Sequence, residues 1–285
     1  MSLTEQLAPF APETVATPGG AVAFRRARSP GFTGGVTHVL LHGIGSASGS
    51  WLAQLLWVER AITLERHVLA WDAPGYGDSA ALPMESPCAV DYAKRFWTWI
   101  DLVTPKGGLP FTMVGHSLGA LMAAGAALQR PERVKRLVLL APALGYASAS
   151  AAVREQKLSD RLANLARLGP AGMAKQRAAA MLSPNASKEQ IALVEAVMAG
   201  IHPHGYTQAA RMLAGGDVLG DLKQLRCQVS IASGSADTVT PPDACAGLAQ
   251  KIGVAYESLG EVGHSCALEA AVEVNRVIGI DRKEP

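Results

Sequence analysis

The chain has 285 residues and a nearly balanced charge, with 26 Lys and Arg against 24 Asp and Glu and a formal net charge of +2. This balance excludes the strongly basic surface that binds nucleic acids or anionic membranes. Apolar residues make up 49% of the chain, which is enough for a sizeable core and excludes a disordered protein. We expect a globular monomer or homodimer whose partner is a small-molecule substrate, with no nucleic-acid or membrane partner.

The sequence carries no signal for export or membrane insertion. Its first residues lack the basic and apolar regions of a secretion signal, and no window holds the roughly 18 apolar residues of a membrane span. The four cysteines lie far apart without a C-x-x-C pair, which argues against a zinc ribbon or a redox motif. These observations predict a soluble, cytoplasmic protein.

Short apolar runs alternate with helical patterns along the chain. Runs rich in Val, Leu and Ile are typical of strands buried on both faces of a parallel sheet, and strand–helix alternation predicts βαβ units. The sequence therefore predicts an α/β fold with a doubly wound, mostly parallel sheet, to which residues 22–28 add one or two antiparallel strands. The other predicted strands are 36–41, 67–71, 111–114, 136–140, 229–232 and 254–259, and the predicted helices are 49–63, 89–103, 118–129, 242–251 and 266–278.

The alternation stops between Ala143 and Ala214, where Ala, Arg, Leu and Gln dominate. Gly-Pro and Ser-Pro pairs divide this stretch into about four helices. We predict an all-helical cap of residues 143–214, inserted into a core domain of residues 1–142 and 215–285. Because open α/β sheets bind ligands at the carboxyl ends of their strands, such a cap would act as a lid and contribute the substrate-binding residues.

The sharpest motif is Gly-His-Ser-Leu-Gly at residues 115–119, which fits G-x-S-x-G. It follows an apolar run and precedes a helical pattern, which is the strand, tight turn and helix that a nucleophile elbow requires. The turn would present the Ser117 hydroxyl at the N-terminus of a helix, where the helix dipole favours negative charge. The motif therefore predicts Ser117 as a nucleophile.

A serine hydroxyl becomes a good nucleophile only when a base accepts its proton, and an acid must orient that base. His264 follows the last predicted strand, at the edge of the sheet where catalytic groups gather. Asp237 follows the strand before it, and the resulting order Ser, Asp, His is that of an α/β-hydrolase triad. The other six histidines are expected elsewhere. His38 and His67 lie at strand starts, and His116 lies beside the serine and is expected to point away from it. His42 lies at the base of a loop, and His202 and His204 fall in the predicted cap.

Asp72 also follows a predicted strand, but it precedes the serine and lies in a Trp-Asp-Ala-Pro-Gly turn, where a turn-stabilising role fits better. A tetrahedral oxyanion needs two N–H donors. The backbone N–H of Leu118 is one candidate, and Ile44, or else Gly45, supplies the second from the glycine-containing loop after residues 36–41. His42, at the base of that loop, is assigned a structural role.

Together these motifs resemble the α/β-hydrolase fold superfamily over residues 22–278. Within it the chain is similar to the lidded bacterial esterases, enol-lactone hydrolases and meta-cleavage product hydrolases. The resemblance implies the same roles for Ser117, Asp237 and His264. Haloalkane dehalogenases and epoxide hydrolases have an aspartate where this chain has Ser117, which argues against those activities. The carbon–carbon hydrolases commonly have an asparagine before the nucleophile, where this chain has His116.

The leading hypothesis is hydrolysis of a carboxylic ester or lactone through an acyl-enzyme, which needs no metal or organic cofactor. Carbon–carbon bond hydrolysis of an aromatic ring-cleavage product is the alternative, and a non-catalytic ligand receptor on the same fold is a remote one. Carboxylate binding, which the alternative requires, would use cap arginines. The arginine candidates are Arg154, Arg161, Arg177 and Arg211, and methionines that could form an apolar pocket or a helix core are Met173, Met181, Met198 and Met212.

Overall fold

The fold of residues 1–104 and 108–282 is described by a computed structural model. Eight strands form one sheet in the order β1-β2-β4-β3-β5-β6-β7-β8. Strand β2 pairs antiparallel with β1 and β4, and all other neighbouring strands are parallel, which confirms the predicted sheet. The strands are β1 (Glu13–Val15), β2 (Val22–Arg28), β3 (His38–Leu41), β4 (His67–Trp71), β5 (Phe111–His116), β6 (Val134–Leu140), β7 (Gln228–Ser233) and β8 (Tyr256–Ser258).

Helices lie on both faces of the sheet. Successive residues of a strand point to opposite faces, so Val39 and Leu41 pack on the side of helices α3 and α4 while Leu40 packs on the side of α2 and α11. Both faces are therefore buried. The helices are α1 (Leu3–Leu7), α2 (Leu52–Arg60), α3 (Ala89–Val103), α4 (Gly119–Gln129), α5 (Ala151–Arg177), α6 (Lys188–Ala199), α7 (Pro203–Gly215), α8 (Val218–Leu222), α9 (Pro242–Ile252), α10 (Cys266–Glu269) and α11 (Ala271–Ile278).

The single helix predicted over residues 266–278 is wrong, because the backbone leaves the helical region at Ala270. The break separates two packing requirements. Glu269 at the end of α10 accepts hydrogen bonds from the backbone N–H groups of Ser183 and Gly263, whereas α11 buries Val274 against the sheet. The apolar pattern of the sequence reflects only the burial of α11 against the sheet and not the hydrogen bonds of Glu269. The sequence therefore predicts one continuous helix.

Helices α5, α6 and α7 occupy the predicted cap, and α5 is kinked at Gly169, whose φ is 61°. Pro170 follows the kink and removes a backbone donor there. The division into a core and a cap stays a prediction. The predicted core also includes residues 105–107 and 283–285, which lie outside the described residues. No helix in the described parts of the chain is long and apolar enough to cross a membrane.

Hydrogen bonds attach the predicted cap to the rest of the chain at several separate places. Where it leaves the core, the Ala147 N–H donates to the Gly216 carbonyl at 3.0 Å and the Val218 N–H donates to the Leu144 carbonyl at 3.1 Å. Near its middle, the Ser265 N–H donates to the Met181 carbonyl at 2.7 Å. On α7, the Gln208 amide donates to the Leu82 and Met84 carbonyls at 2.8 and 2.6 Å.

Candidate active site

Ser117 occupies the turn between strand β5 and helix α4. Its φ is 52°, a left-handed backbone conformation that is rare and strained for any residue except glycine. The turn is held by hydrogen bonds from the Ser117 N–H to the Leu140 carbonyl and from the Ala143 N–H to the Ser117 carbonyl, both 3.0 Å long. The structure therefore maintains a strained turn at the residue that the motif predicts as the nucleophile.

The two glycines of the motif permit this turn because the backbone passes close to them. A Cβ atom at Gly115 would lie 2.5 Å from the Gly119 carbonyl oxygen. At Gly119 a Cβ atom would lie 2.3 Å from the Leu41 carbonyl oxygen. No ordinary Cβ contact is that short, so any side chain would push helix α4 away from strands β5 and β3. The spacing G-x-S-x-G is thus a packing requirement of this strand–turn–helix unit.

Asp237 and His264 are hydrogen-bonded to each other, with His264 Nδ1 2.8 Å from Asp237 Oδ2. Both side chains are buried, and they lie on the loops that follow strands β7 and β8. Asp237 Oδ1 accepts the backbone N–H groups of Val239 and Thr240 at 2.7 and 3.0 Å. Burial works to raise the pKa of the Asp237 carboxyl, but the hydrogen bonds from His264 and Thr240 outweigh it and hold that pKa below its usual range.

Thr240 belongs to this pair and was not predicted from the sequence. Its Oγ1 lies 2.8 Å from Asp237 Oδ2, 3.2 Å from His264 Nδ1 and 3.1 Å from the Ala141 carbonyl. A hydroxyl three residues after an aspartate is a common turn pattern, so the sequence alone gives Thr240 only a local role. In the structure Thr240 links Asp237, His264 and the end of strand β6.

Ser117 and His264 line one cavity of about 260 Å³ at the carboxyl edge of the sheet. Within the described residues, the two side chains are not hydrogen-bonded to each other. Nucleophile–base hydrogen bonds are often long without a substrate and tighten when one binds. The structure thus brings the three predicted residues together, with Asp237 and His264 in contact and Ser117 facing the same space.

The predicted oxyanion donors flank Ser117. Leu118 follows it directly, and a Cβ atom at Gly43 would lie only 2.8 Å from Ser117 Cβ, so the loop containing Ile44 passes against the serine. Within the described residues, the backbone N–H groups of Leu118 and Ile44 donate no hydrogen bond, so both are free to bind an oxyanion. Ile44 lines the Ser117 cavity and Gly45 does not, which favours Ile44 as the second donor.

His42 and Asp72 lie behind this loop, away from the cavity. The His42 Nδ1–H donates to the Gly43 carbonyl at 2.8 Å, and Nε2 accepts the Ala73 N–H at 3.0 Å, so both ring nitrogens are used by the backbone. Burial lowers the pKa of His42 and keeps the ring neutral. Asp72 Oδ1 accepts the Ser48 N–H at 2.7 Å. These contacts position the loop that carries Ile44.

His116 is a second residue that sequence reasoning missed. Its side chain was expected to point away from Ser117, and the structure directs it towards His264, with ring centroids 4.8 Å apart. The His116 Nε2–H donates to the backbone carbonyl of His264 at 2.8 Å. Burial, aided by the neighbouring His264, lowers the pKa of His116 to about 3, so the ring is neutral at ordinary pH.

A smaller cavity of about 50 Å³ is also lined by His264. Its walls are mostly apolar and include Met181 and Met198, whereas Met173 and Met212 are buried in the main core. The residues that line both cavities are Ile44, Met181 and His264. The site therefore has two compartments that meet at the predicted base.

The candidate arginines separate into two groups. Arg161 and Arg177 line the larger cavity with Ser117. Arg154 donates to the backbone carbonyls of Ala147 and Ala149, and Arg211 is paired with Glu85. Among the described residues no cluster of three or more His, Cys, Asp or Glu side chains could hold a metal ion.

The mostly parallel sheet, with a strained serine turn and a histidine loop at its carboxyl edge, is that of an α/β-hydrolase. The family described as serine aminopeptidase, S33, matches residues 36–269, and the chain belongs to this family. The similar proteins below are hydrolases, which argues against the receptor alternative.

Similar proteins support the same class. An (E)-2-((N-methylformamido)methylene)succinate hydrolase of Acinetobacter baylyi is 32% identical over 104 residues, a match that spans only 36% of each chain. A thermophilic esterase of Thermogutta terrifontis, solved with malate bound, superposes with a TM-score of 0.79 at 20% identity, covering 94% of this chain and 97% of the esterase. The enol-lactonase of Burkholderia xenovorans gives 0.77 at 18% identity, covering 94% and 98%. At these identities the two structures establish the fold.

Proposed function

We propose that this hydrolase cleaves a small-molecule carboxylic ester or lactone through an acyl-enzyme on Ser117. The observation that carries the proposal is the hydrogen-bonded pair of Asp237 and His264 on the cavity that Ser117 lines. An esterase and an enol-lactonase among the similar structures agree with this choice of bond. Such chemistry requires only side chains and water.

Each group has one role in the proposed reaction. His264 accepts the Ser117 proton as Oγ attacks the carbonyl carbon, and Asp237 stabilises the resulting imidazolium. The backbone N–H groups of Leu118 and Ile44 bind the oxyanion of the tetrahedral intermediate. His264 then gives its proton to the leaving oxygen as the carbon–oxygen bond breaks. In the second half, His264 takes a proton from water as the water attacks the acyl carbon, and it returns that proton to Ser117 Oγ as the carbon–Oγ bond breaks and the acid is released.

Carbon–carbon bond hydrolysis of a ring-cleavage product is the second candidate. The observation that favours it is the position of Arg161 and Arg177 on the Ser117 cavity, because such substrates carry carboxylates that guanidinium groups bind. His116 weighs against it, because these hydrolases commonly have asparagine at that position. The relative from Acinetobacter baylyi is named for a substituted succinate, which is a dicarboxylate. The two arginines and this relative keep the second candidate in the test.

A fluorophosphonate probe tests the nucleophile, because it reacts with an activated serine. We expect one adduct, located on Ser117 by peptide mass spectrometry, and none in Ser117→Ala or after denaturation. A folded protein without an adduct would overturn both enzymatic assignments of Ser117. Assays with p-nitrophenyl esters beside a coloured dienoate then separate the bond types. Turnover of the dienoate alone would replace ester hydrolysis by carbon–carbon hydrolysis.

A further inference from the structure

Two positive charges face the cavity that contains Ser117. Arg161 lies on helix α5 before the kink at Gly169, and Arg177 is the last residue of the same helix. Most of the remaining lining is apolar or backbone, including Pro142, Leu144 and Leu213. Two guanidinium groups on such a wall constitute a strong and localised positive potential.

Within residues 1–104 and 108–282, neither arginine has an acidic partner. Arg161 is partly buried beside the phenol groups of Tyr146 and Tyr206. Burial works to lower the pKa of Arg161, but these phenol groups outweigh it and raise that pKa, so the side chain remains charged. No carboxylate of the described residues neutralises either guanidinium, so both attract an anion that enters the cavity. The cavity therefore favours an anionic occupant.

The two compartments indicate which part of the substrate carries the anion. Ser117 lines only the arginine compartment, so an acyl group bonded to its Oγ lies there. His264 lines both compartments and can deliver a proton to a leaving group in the apolar one. That compartment is walled by side chains such as Leu193 and Val197, which suit an uncharged leaving group.

We propose that Arg161 and Arg177 bind a carboxylate at the far end of the acyl group, so that the substrate is the monoester of a dicarboxylic acid with an apolar alcohol. This inference rests on the proposed role of Ser117. The ester carbon–oxygen bond breaks as the bond to Ser117 Oγ forms, and water later replaces Ser117, so the products are the dicarboxylate and the alcohol. Guanidinium suits this role because its paired N–H groups match both oxygens of a carboxylate.

The test compares two esters that differ in charge, mono-p-nitrophenyl glutarate and p-nitrophenyl hexanoate, with a common leaving group. We expect the native enzyme to have the higher kcat/KM for the glutarate ester. Arg161→Met and Arg177→Met should each lower the ratio of kcat/KM for the glutarate ester to kcat/KM for the hexanoate by about 10- to 100-fold, the effect of a lost hydrogen bond to a charged group. Arg167→Met is the matched control, because Arg167 is exposed on the same helix and donates to Asn164.

Three results would overturn the inference: equal losses on both esters, no loss on the glutarate ester, or a native preference for the hexanoate. Inhibition by inorganic phosphate but not by glutarate would also overturn it and assign the arginines to a phosphate group. The hexanoate assay and the Ser117 adduct depend only on the proposed function. If the enzyme neither cleaves the hexanoate nor forms the Ser117 adduct, the proposed function is wrong. If it does both but shows no preference for the glutarate ester, only the proposed carboxylate site is wrong.

Discussion

The Nε2–H of His116 donates to the backbone carbonyl of His264 at 2.8 Å, so the residue before Ser117 supports the loop that carries the predicted base. We expect His116 to act as a positioning residue. His116→Phe keeps a ring but removes the donor, and should lower kcat by about 10-fold, the equivalent of one hydrogen bond, with little change in KM. His116→Gln retains an N–H donor and should recover most of the loss. Steady-state kinetics with p-nitrophenyl esters measures both values.

Thermal unfolding of the same two variants provides the control for packing. If His116→Phe and His116→Gln lose stability and activity in parallel, His116 serves packing alone and the positioning role is refuted. Only His116→Gln keeps an N–H donor for the His264 carbonyl. If the two variants are equally stable, a difference in their kcat values therefore measures the effect of this hydrogen bond.

Thr240 should orient the carboxylate that holds His264. Thr240→Val preserves the shape of the side chain but removes the hydroxyl 2.8 Å from Asp237 Oδ2. Losing that hydrogen bond should reduce kcat by about 10-fold, because Asp237 is then less firmly held against His264. Thr240→Ser keeps the hydroxyl and should stay within about 3-fold of the native rate. A fully active Thr240→Val enzyme would show that the backbone N–H groups suffice to hold Asp237.

Gly43 should be intolerant of any side chain. A Cβ atom there would lie 2.8 Å from Ser117 Cβ and 3.3 Å from its Oγ, so Gly43→Ala must displace the loop that carries Ile44. Loss of one oxyanion donor typically costs about 100- to 1,000-fold in kcat, and we expect a loss of this order. Gly35→Ala is the control, because a Cβ atom at Gly35 meets nothing within 4 Å. Comparable activities of the two variants would place the second donor elsewhere.

His67 should make the free energy of unfolding depend on pH. Burial, with Arg28 and Arg26 beside the ring, lowers the pKa of His67 to about 4, against about 6.5 in an unfolded chain. Between these values the unfolded chain binds a proton that the folded protein does not, so stability decreases as pH falls from about 6.5 to about 4. Urea unfolding at several pH values should show a weaker decrease for His67→Gln. His204 is exposed, so His204→Gln should reproduce the native curve.

The central strands β3, β4 and β5 were predictable because they are buried on both faces and therefore appear as continuous apolar runs, whereas the short, exposed strand β1 was not predicted. Ser117 was predictable because packing also determines its neighbours. Side chains at positions 115 and 119 would clash with the backbone, so both positions are glycine and form a recognisable motif around Ser117. Thr240 and His116 were not predictable, because their partners come from distant loops and impose no spacing on the chain.

The predicted cap shows the same limit. The four candidate arginines lie in similar helical patterns, so the sequence does not distinguish them. Only the fold shows that Arg161 and Arg177 face the Ser117 cavity. Arg154 and Arg211 instead contact other parts of the chain. Helical pattern predicts where helices begin and end. It does not predict which of their polar residues face an internal cavity, because an arginine on such a wall has the same spacing as one in solvent.

The attachments of the predicted cap constrain how a substrate can reach Ser117. A segment held at one edge could move about that edge as a hinge, but contacts at several separate places oppose such a movement. Substrate traffic therefore requires a passage between the fixed places, or the release of one of them. Release of the contact between Met181 and Ser265 would have a second effect, since Ser265 is bonded in sequence to His264. A movement of the predicted cap at this contact would therefore also move the loop of the predicted base.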